Sequence, residues 1–452
     1  MKDHKQLGYL IRQMVKTFHL QHHKSKEEIM AHLAQHLGVR PKTLYAWQEG
    51  RNIPRAETLA ELVRLGATQA GMDRKWAYKV LYWGKYTHWQ DLIATLYPQP
   101  PDTLRHNLSH RSYVALVGRT AELNRIEDWL ARSYAPGPLV IEGLGGSGKS
   151  ALALEVAWRY LAQATRRAPS LSSEVVIWFS AQPALLTAQG IGRTPSNNTH
   201  LEDVYRTIAE VLGVPVNRDA PPTTLYREIM PALRQVDRVL LFLDGVERLD
   251  TPALLAFLAA LPANTYALLT SRCHLNLPRP LRLRPLATPV AVELTTLACA
   301  QYNLSLTSEE MARLTAGTYG LPLALTWAIG RMALYGDTVE IVLHHVDDPH
   351  ADLQVFLFEE FITQLQTEDP LTYRVLTTLT TFSLATPVPV ADLAARTGIT
   401  LDAARGGLQH LTNWYVGNFT PDGDFNLHPL VYRFVRATTV TPSAGSPPQR
   451  DE

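Results

Sequence analysis

Residues Gly143-Leu144-Gly145-Gly146-Ser147-Gly148-Lys149-Ser150 decide the reading of this chain. The apolar run PLVIEG leads into them and SALALEVAWRYLA follows at once, so the octet sits between a strand and a helix. It matches GxxxxGK[ST]. In this pattern glycines let the loop curl, so that consecutive backbone N–H groups point at phosphate oxygens near the positive end of the helix dipole. The expected cradle comprises Gly143, Gly145, Gly146, Ser147 and Gly148, with Lys149 reaching the β- and γ-phosphates and Ser150 ligating Mg²⁺. A glycine-rich turn arising by chance is the plainer alternative, and the strand and helix on either side argue against it. ATP or ADP with Mg²⁺ is the expected cofactor set.

A phosphate cradle of this type also needs an acid at the end of a neighbouring strand to hold Mg²⁺ through water. VLLFLDGVERLD supplies Asp244 there, followed by Glu247 and Asp250. Asp244 could otherwise be an ordinary turn or cap residue. Glu247 reads equally as a group that polarises an attacking water or as a surface acid. The next apolar run, TYALLTSR, ends in Arg272, a cation placed to meet the γ-phosphate. Together PLVIEG, EVVIWFS, RVLLFLD, TYALLTS and LRLRPL are continuous rather than alternating apolar runs. Such runs mark strands covered on both faces, hence a parallel sheet in an α/β layer fold.

A chain of 452 residues is longer than one core usually supports, so several domains are expected. Cys273 and Cys299 are its two cysteines, too few for a disulfide framework or a CxxC metal site, and they fit a reducing compartment. MKDHKQLGYLIRQM lacks the apolar stretch of a signal peptide, and no later run approaches membrane-spanning length, so a cytoplasmic protein without a membrane partner is expected. The formal net charge is +1, yet residues 1–66 carry eleven Lys or Arg against six Asp or Glu. A basic excess confined to one end points to a polyanionic partner there.

The expected organisation is multidomain. Short helices to about residue 70 form an all-α DNA-binding domain of helix-turn-helix type, and an aromatic-rich helical extension covers 71–98. The proline-rich 99–112 is a linker, since consecutive prolines keep the backbone extended. Residues 113–285 form the α/β nucleotide-binding domain, with QPALLTAQGIGRTPSNNTH read as a mobile loop. From 286 to 350 helices dominate, one starting at Thr307 with Glu310 placed for a capping box. Residues 351–438 carry helices and then YVGNFTPDGDFNLHP, a hairpin signature that suggests a winged-helix domain. The tail, 439–452, reads as disordered.

Several segments taken in order resemble the STAND class of AAA+-related NTPases, in its NB-ARC-like branch: VGRTAELNRIEDWL, GLGGSGKS, LFLDGVE, LLTSR, YGLPLAL and NLHPLVYRFV. The resemblance spans roughly Tyr113 to Val435. It implies a ligand-gated switch that holds ADP when closed, exchanges it for ATP on a signal, and often oligomerises. It also implies that Gly118 and Arg119 lie near the nucleotide, that Pro322 packs on the base or ribose, and that His428 meets the β-phosphate of ADP. Read without the resemblance, a lone histidine before proline is more often structural. Three departures stand out. Gly245 replaces a second acid, which implies slow or absent hydrolysis. Pro429 follows the histidine where the plant and animal members carry Asp, although bacterial relatives commonly read HPL. No repeat domain for sensing the signal follows residue 438, so reception falls to a partner protein or to the domains present.

Residues 25–54, SKEEIMAHLAQHLGVRPKTLYAWQEGRNIP, offer Ser25 and Glu28 as a capping box, a helix to about Leu37, a turn at Gly38 and a second helix through Trp47. Ile29, Leu33, Leu37, Val39, Leu44 and Trp47 are spaced to share one small core. Arg40, Lys42, Tyr45 and Ala46 are then left facing outward, at the helix end that would enter a major groove. The pattern resembles the lambda-repressor/Cro helix-turn-helix family, which places Arg51 and Asn52 near phosphates. A helical protein-interaction module is the alternative. The expectation is thus a DNA-binding transcription regulator switched by ATP and ADP, against a rival in which the N-terminal part recruits an effector protein in immune or stress signalling.

Overall fold

A computed structural model of the chain describes residues 2–22, 25–72, 74–87, 89–96, 105–111, 113–132, 135–164, 174–193, 200–217, 220–278 and 280–440. The expected disordered tail therefore falls outside the described residues except for 439 and 440, and so does the proline-rich part of the expected linker. The chain divides into two compact units. One comprises residues 1–105, 165–173 and 208–237, and the other residues 106–164, 174–207 and 238–452.

Each of the five apolar runs becomes a strand of one sheet in the second unit: β1 (Leu139–Glu142), β2 (Glu174–Ser180), β3 (Arg238–Asp244), β4 (Thr265–Ser271) and β5 (Leu281–Arg282). These five lie in the order β2-β3-β4-β1-β5 and all pair in parallel. Burial explains the unbroken apolarity, because every residue of β1 and β4 is buried. Parallel strands all point their carboxyl ends the same way, so β1 delivers the glycine loop at the edge where β2, β3 and β4 also finish. The helix Lys149–Ala164 continues directly from that loop.

Around the sheet lie Thr120–Leu130 and Thr251–Ala260, the latter capped by Asp250, whose carboxylate accepts from the Ala253 N–H at 2.8 Å. Asp250 is thus a helix cap. The stretch expected to be a mobile loop is an antiparallel hairpin over its described part, Ala184–Thr187 with Gly190–Arg193. Its turn uses Gly190 at φ 128°, and Leu186 is buried in the core. Burial alternates along this strand, from exposed Leu185 to buried Leu186 and exposed Thr187, but ALLT does not alternate apolar with polar residues, so the sequence carried no strand signal here. Residues 194–199 lie outside the described residues.

The helices Thr288–Gln301, Ser308–Gly317, Pro322–Tyr335 and Val339–Asp347 follow, and the expected capping box forms between Thr307 and Glu310. Further helices run from Asp352 to Asn413, broken within Asp352–Glu368 by a π-helical turn at Val355–Glu359. The hairpin Gly417–Phe419 with Phe425–Leu427 has the predicted turn, and Pro429–Val440 closes the chain's described part. Helical residues such as Leu325, Leu353, Leu376, Leu408 and Val431 share one continuous core.

In the first unit, Lys26–His36 begins at Ser25 with the predicted capping box, and Pro41–Gln48 follows a turn in which Gly38 has φ 61°. The N-terminal helix Lys2–His22 crosses the end of Pro41–Gln48 at Gly8, where a Cβ would stand 2.6 Å from the Gln48 carbonyl oxygen. Leu7, Ile11, Leu33, Leu44, Trp47 and Leu59 form its core. Among the described residues no helix is long and apolar enough to cross a membrane.

Candidate functional site

The loop after β1 is built from conformations that side chains resist. Gly143, Gly146 and Gly148 have φ of 150°, 78° and 94°, and a Cβ on Gly143 would stand 2.4 Å from the Leu283 carbonyl oxygen. The curl buries Lys149, whose Nζ donates to the carbonyls of Gly143 at 2.8 Å and Leu144 at 3.0 Å. Burial first, and the Arg272 guanidinium second, pull its pKa from 10.5 down to about 8. Glu247 and Asp244 oppose that pull.

Asp244 ends β3, where the sequence placed it, and is held by three hydroxyls. Its Oδ1 accepts from Ser150 at 2.5 Å and Thr270 at 2.7 Å, and its Oδ2 from Ser180 at 2.9 Å. The Ser150 Oγ–H points to Asp244, which leaves its lone pairs for a cation. Ser180 and Thr270 were missed in the sequence, although a signal existed. Parallel strands ending EVVIWFS, RVLLFLD and TYALLTS set a hydroxyl on each side of the aspartate once in register, and Ser180 is indeed paired with Asp244.

Glu247 is not a surface acid. Its side chain is 5 % exposed, its Oε2 accepts from the Arg272 N–H at 3.2 Å, and the Arg272 Nε lies 3.5 Å from its Oε1. The Gln182 amide also reaches it, at 3.5 Å. Arg272 further lies over the Phe356 ring. A cavity of about 540 Å³ opens beside the loop, lined among others by Leu144, Gly145, Glu247, Arg272, Phe358 and Trp414.

Arg119 is buried, donating to the carbonyls of Ser147 at 3.1 Å and Arg284 at 2.7 Å and pairing with Glu122. It braces the loop's backbone, and Gly118 beside it has φ 61°. Pro322 opens the helix Pro322–Tyr335 over the loop: the Leu323 N–H donates to the Gly146 carbonyl at 3.2 Å, and a Cβ on Gly148 would lie 3.8 Å from the Pro322 ring. His428 sits edge-on to Tyr319, three residues before Pro322, with ring centres 5.6 Å apart. Its Nδ1 accepts from the Leu430 N–H at 3.3 Å, and burial lowers its pKa from 6.5 to about 4, so the ring is neutral. The structure therefore brings Lys149, Ser150, Asp244, Glu247, Arg272 and Arg119 into one cluster and reaches His428 through the Tyr319–Pro322 turn.

These residues fit a magnesium nucleotide. The Ser147 hydroxyl is fully buried with no hydrogen-bond partner among the described residues, and the neighbouring glycines leave room for phosphate oxygens where a Cβ would crowd Leu323 and Leu357. A buried ammonium beside an acid held for cation contact completes the set.

The N-terminal candidates belong to the other unit. Arg40, Lys42, Arg51 and Asn52 are exposed around Pro41–Gln48, whereas Tyr45 is half-buried and packs on the core, and Arg51 pairs with Glu49 at 2.7 Å.

Fold and site together define a P-loop ATPase core. In agreement, residues 115–271 match the model of the AAA ATPase domain family. The fold is similar to that of a Walker-type ATPase of Pyrococcus abyssi, at 13 % identity and a TM-score of 0.51, over 75 % of this chain and 100 % of that one. A STAND protein with a tetratricopeptide-repeat sensor from Pyrococcus horikoshii matches at 16 % identity over 76 % of this chain and 44 % of its own, with a TM-score of 0.28. The Thermotoga maritima RuvB Holliday junction branch migration motor matches at 15 % identity over 71 % and 95 %, with a TM-score of 0.32. No curated protein matches the chain.

Proposed function

We propose that this chain is a nucleotide-controlled switch of the NB-ARC-like STAND type. It holds ADP in a closed form and exchanges it for ATP on a signal, delivered by a protein partner or sensed by its own domains. The observation that carries this reading is the cover over the phosphate loop. Pro322 and Leu323 lie on the glycines, and the same turn meets His428 near the chain's far end. A phosphate held in such a loop touches segments far apart in sequence, which is what lets a ligand favour one arrangement over another. Bound Mg²⁺ would be held through Ser150 and Asp244 and would neutralise phosphate charge. Hydrolysis is slow in this form, because Glu247 is engaged by Arg272 and Gly245 provides no second acid.

For the N-terminal unit we propose a helix-turn-helix DNA reader, with Arg40 and Lys42 entering a major groove and Arg51 and Asn52 on phosphates. ATP would pair two such readers on repeated or palindromic half-sites in a homo-oligomer, so that the second binds at raised effective concentration. The basic excess of residues 1–66 supports a polyanion. A protein-recruiting role is the second reading, and it is favoured by the Arg51–Glu49 pair and the packed Tyr45, which leave fewer groups free for DNA. The test is a salt series of binding to a selected DNA site by full-length protein loaded with ADP or ATP. Tighter, sequence-selective binding with ATP supports the DNA reader. Weak binding without sequence preference, the same with both nucleotides, transfers the role to protein recruitment.

A further inference from the structure

Glu142 takes no part in the phosphate chemistry, yet it is a fully buried carboxylate on the last residue of β1, immediately before Gly143. Buried carboxylates are stable only when their lone pairs are matched by donors. Here Oε1 accepts from the Leu275 N–H at 3.0 Å, and Oε2 accepts from the Tyr415 hydroxyl at 2.5 Å and lies 3.0 Å from the His274 Nδ1. Leu275 and His274 follow Arg272 on the nucleotide core, whereas Tyr415 belongs to the C-terminal segment between the helix Leu401–Asn413 and its hairpin. A second bond runs beside the first, from the His274 N–H to the Asn413 carbonyl at 2.8 Å. The Arg282 guanidinium covers the Tyr415 ring at 5.0 Å.

One end of this junction leads to the glycine loop and the other to His428. On one side Gly143, the next residue after Glu142, gives its carbonyl to Lys149, and the Glu142 carbonyl accepts from Leu283 at 2.7 Å. On the other side Val416, the next residue after Tyr415, accepts from the His428 N–H at 2.8 Å. Tyr415 itself holds φ 59°, a left-handed conformation that a bulky side chain keeps only when its surroundings enforce it.

We propose that the Tyr415 hydroxyl on Glu142 is an autoinhibitory latch, which fastens the segment Asn413–Val416 to the strand that carries the phosphate loop and so retards nucleotide release. Breaking it frees the C-terminal segment and lets the turn over the loop lift. The latch deepens the proposed switch and rests on that reading for its effect on nucleotide.

The test uses full-length protein carrying Tyr415→Phe, which keeps the ring on Arg282 and removes only the hydroxyl. Dissociation of a fluorescent ADP analogue should accelerate by about tenfold, as loss of a hydrogen bond to a buried charge implies. Backbone amide exchange at His274 and around residues 413–416 should rise in parallel, with or without nucleotide. As a control, Tyr432→Phe removes a hydroxyl bond to the Phe382 carbonyl within the C-terminal region and should leave ADP release unchanged. Amide protection unaltered in Tyr415→Phe overturns the latch whatever the nucleotide does. If protection falls while ADP release stays within twofold of wild type, the junction exists but does not govern the nucleotide, and the proposal is equally refuted. Failure of wild-type protein to bind any nucleotide would defeat the switch reading, and amide exchange would still judge the junction.

Discussion

Lys149 is the residue on which most of the chemistry converges. In the free loop its ammonium is satisfied by two carbonyls and its pKa is drawn to about 8. Phosphates would hold the proton more firmly, so binding carries proton uptake above that pH. Affinity for ATP should be level below pH 8 and weaken by up to about tenfold per unit above it, a slope readable by titration across pH 7 to 10. Lys149→Ala should remove tight binding altogether, since two phosphates lose their counter-charge. A flat profile in the wild type would show that the lysine does not meet the ligand. Asp244 makes a separate prediction. Asp244→Asn should spare nucleotide binding without metal and weaken the Mg²⁺-dependent part, because the charge that Ser150, Ser180 and Thr270 orient is gone. An unchanged Mg²⁺ requirement in that variant contradicts the assignment.

Among the elements, the hairpin Ala184–Arg193 and the start of Pro429–Val440 offer the clearest tests. The hairpin's turn packs on the helix Pro322–Tyr335 at Gly330, where a Cβ would stand 2.7 Å from the Ala188 Cβ. Gly330→Ala should therefore cost about 1–3 kcal/mol of stability in a urea titration, despite alanine's better helix propensity. A stabilised variant would show that the hairpin does not pack there. His428 is buried neutral, with a pKa near 4 against 6.5 in the unfolded chain. The unfolded state thus binds the extra proton between those values, and stability falls as pH drops from 6.5 to 4, by on the order of 3 kcal/mol in total. His428→Asn can still accept from Leu430 through its Oδ1 and should lack this part of the acid dependence. Equal acid slopes in both proteins would place the titrating group elsewhere.

Across the whole molecule, the legible features were those set by short-range patterns. Five unbroken apolar runs gave five strands, Ser25 with Glu28 and Thr307 with Glu310 gave helix starts, and the spacing of Gly143 to Ser150 gave the loop. Asp244 and Arg272 were legible as strand-end groups, because a parallel sheet brings such ends to one edge, whereas Glu247, on the turn Val246–Arg248, read equally as a surface acid. What the sequence hid depends on partners distant along the chain. The burial of Glu247 follows from Arg272, the bracing role of Arg119 from the Ser147 and Arg284 carbonyls, and the Glu142–Tyr415 bond from a pairing 273 positions apart. No periodicity encodes those contacts. At the N-terminus, Arg40 and Lys42 were rightly expected at the surface, whereas Tyr45 gives part of its ring to the core. If the unit reads DNA, Arg40→Ala or Lys42→Ala should cost about 1–3 kcal/mol at one base position. Arg51→Ala should weaken all sequences alike, lowering the salt slope by about one.

The loop from Gly143 to Ser150 is proposed to bind a magnesium nucleotide that the covering segments retain. The most direct test is equilibrium titration of full-length protein with labelled ADP and ATP, with and without Mg²⁺, beside the Lys149→Ala variant. Saturable binding at one site per chain, tightened by Mg²⁺ and lost in the variant, is the expected result. Binding absent from the wild type, or equally strong in Lys149→Ala, would contradict it.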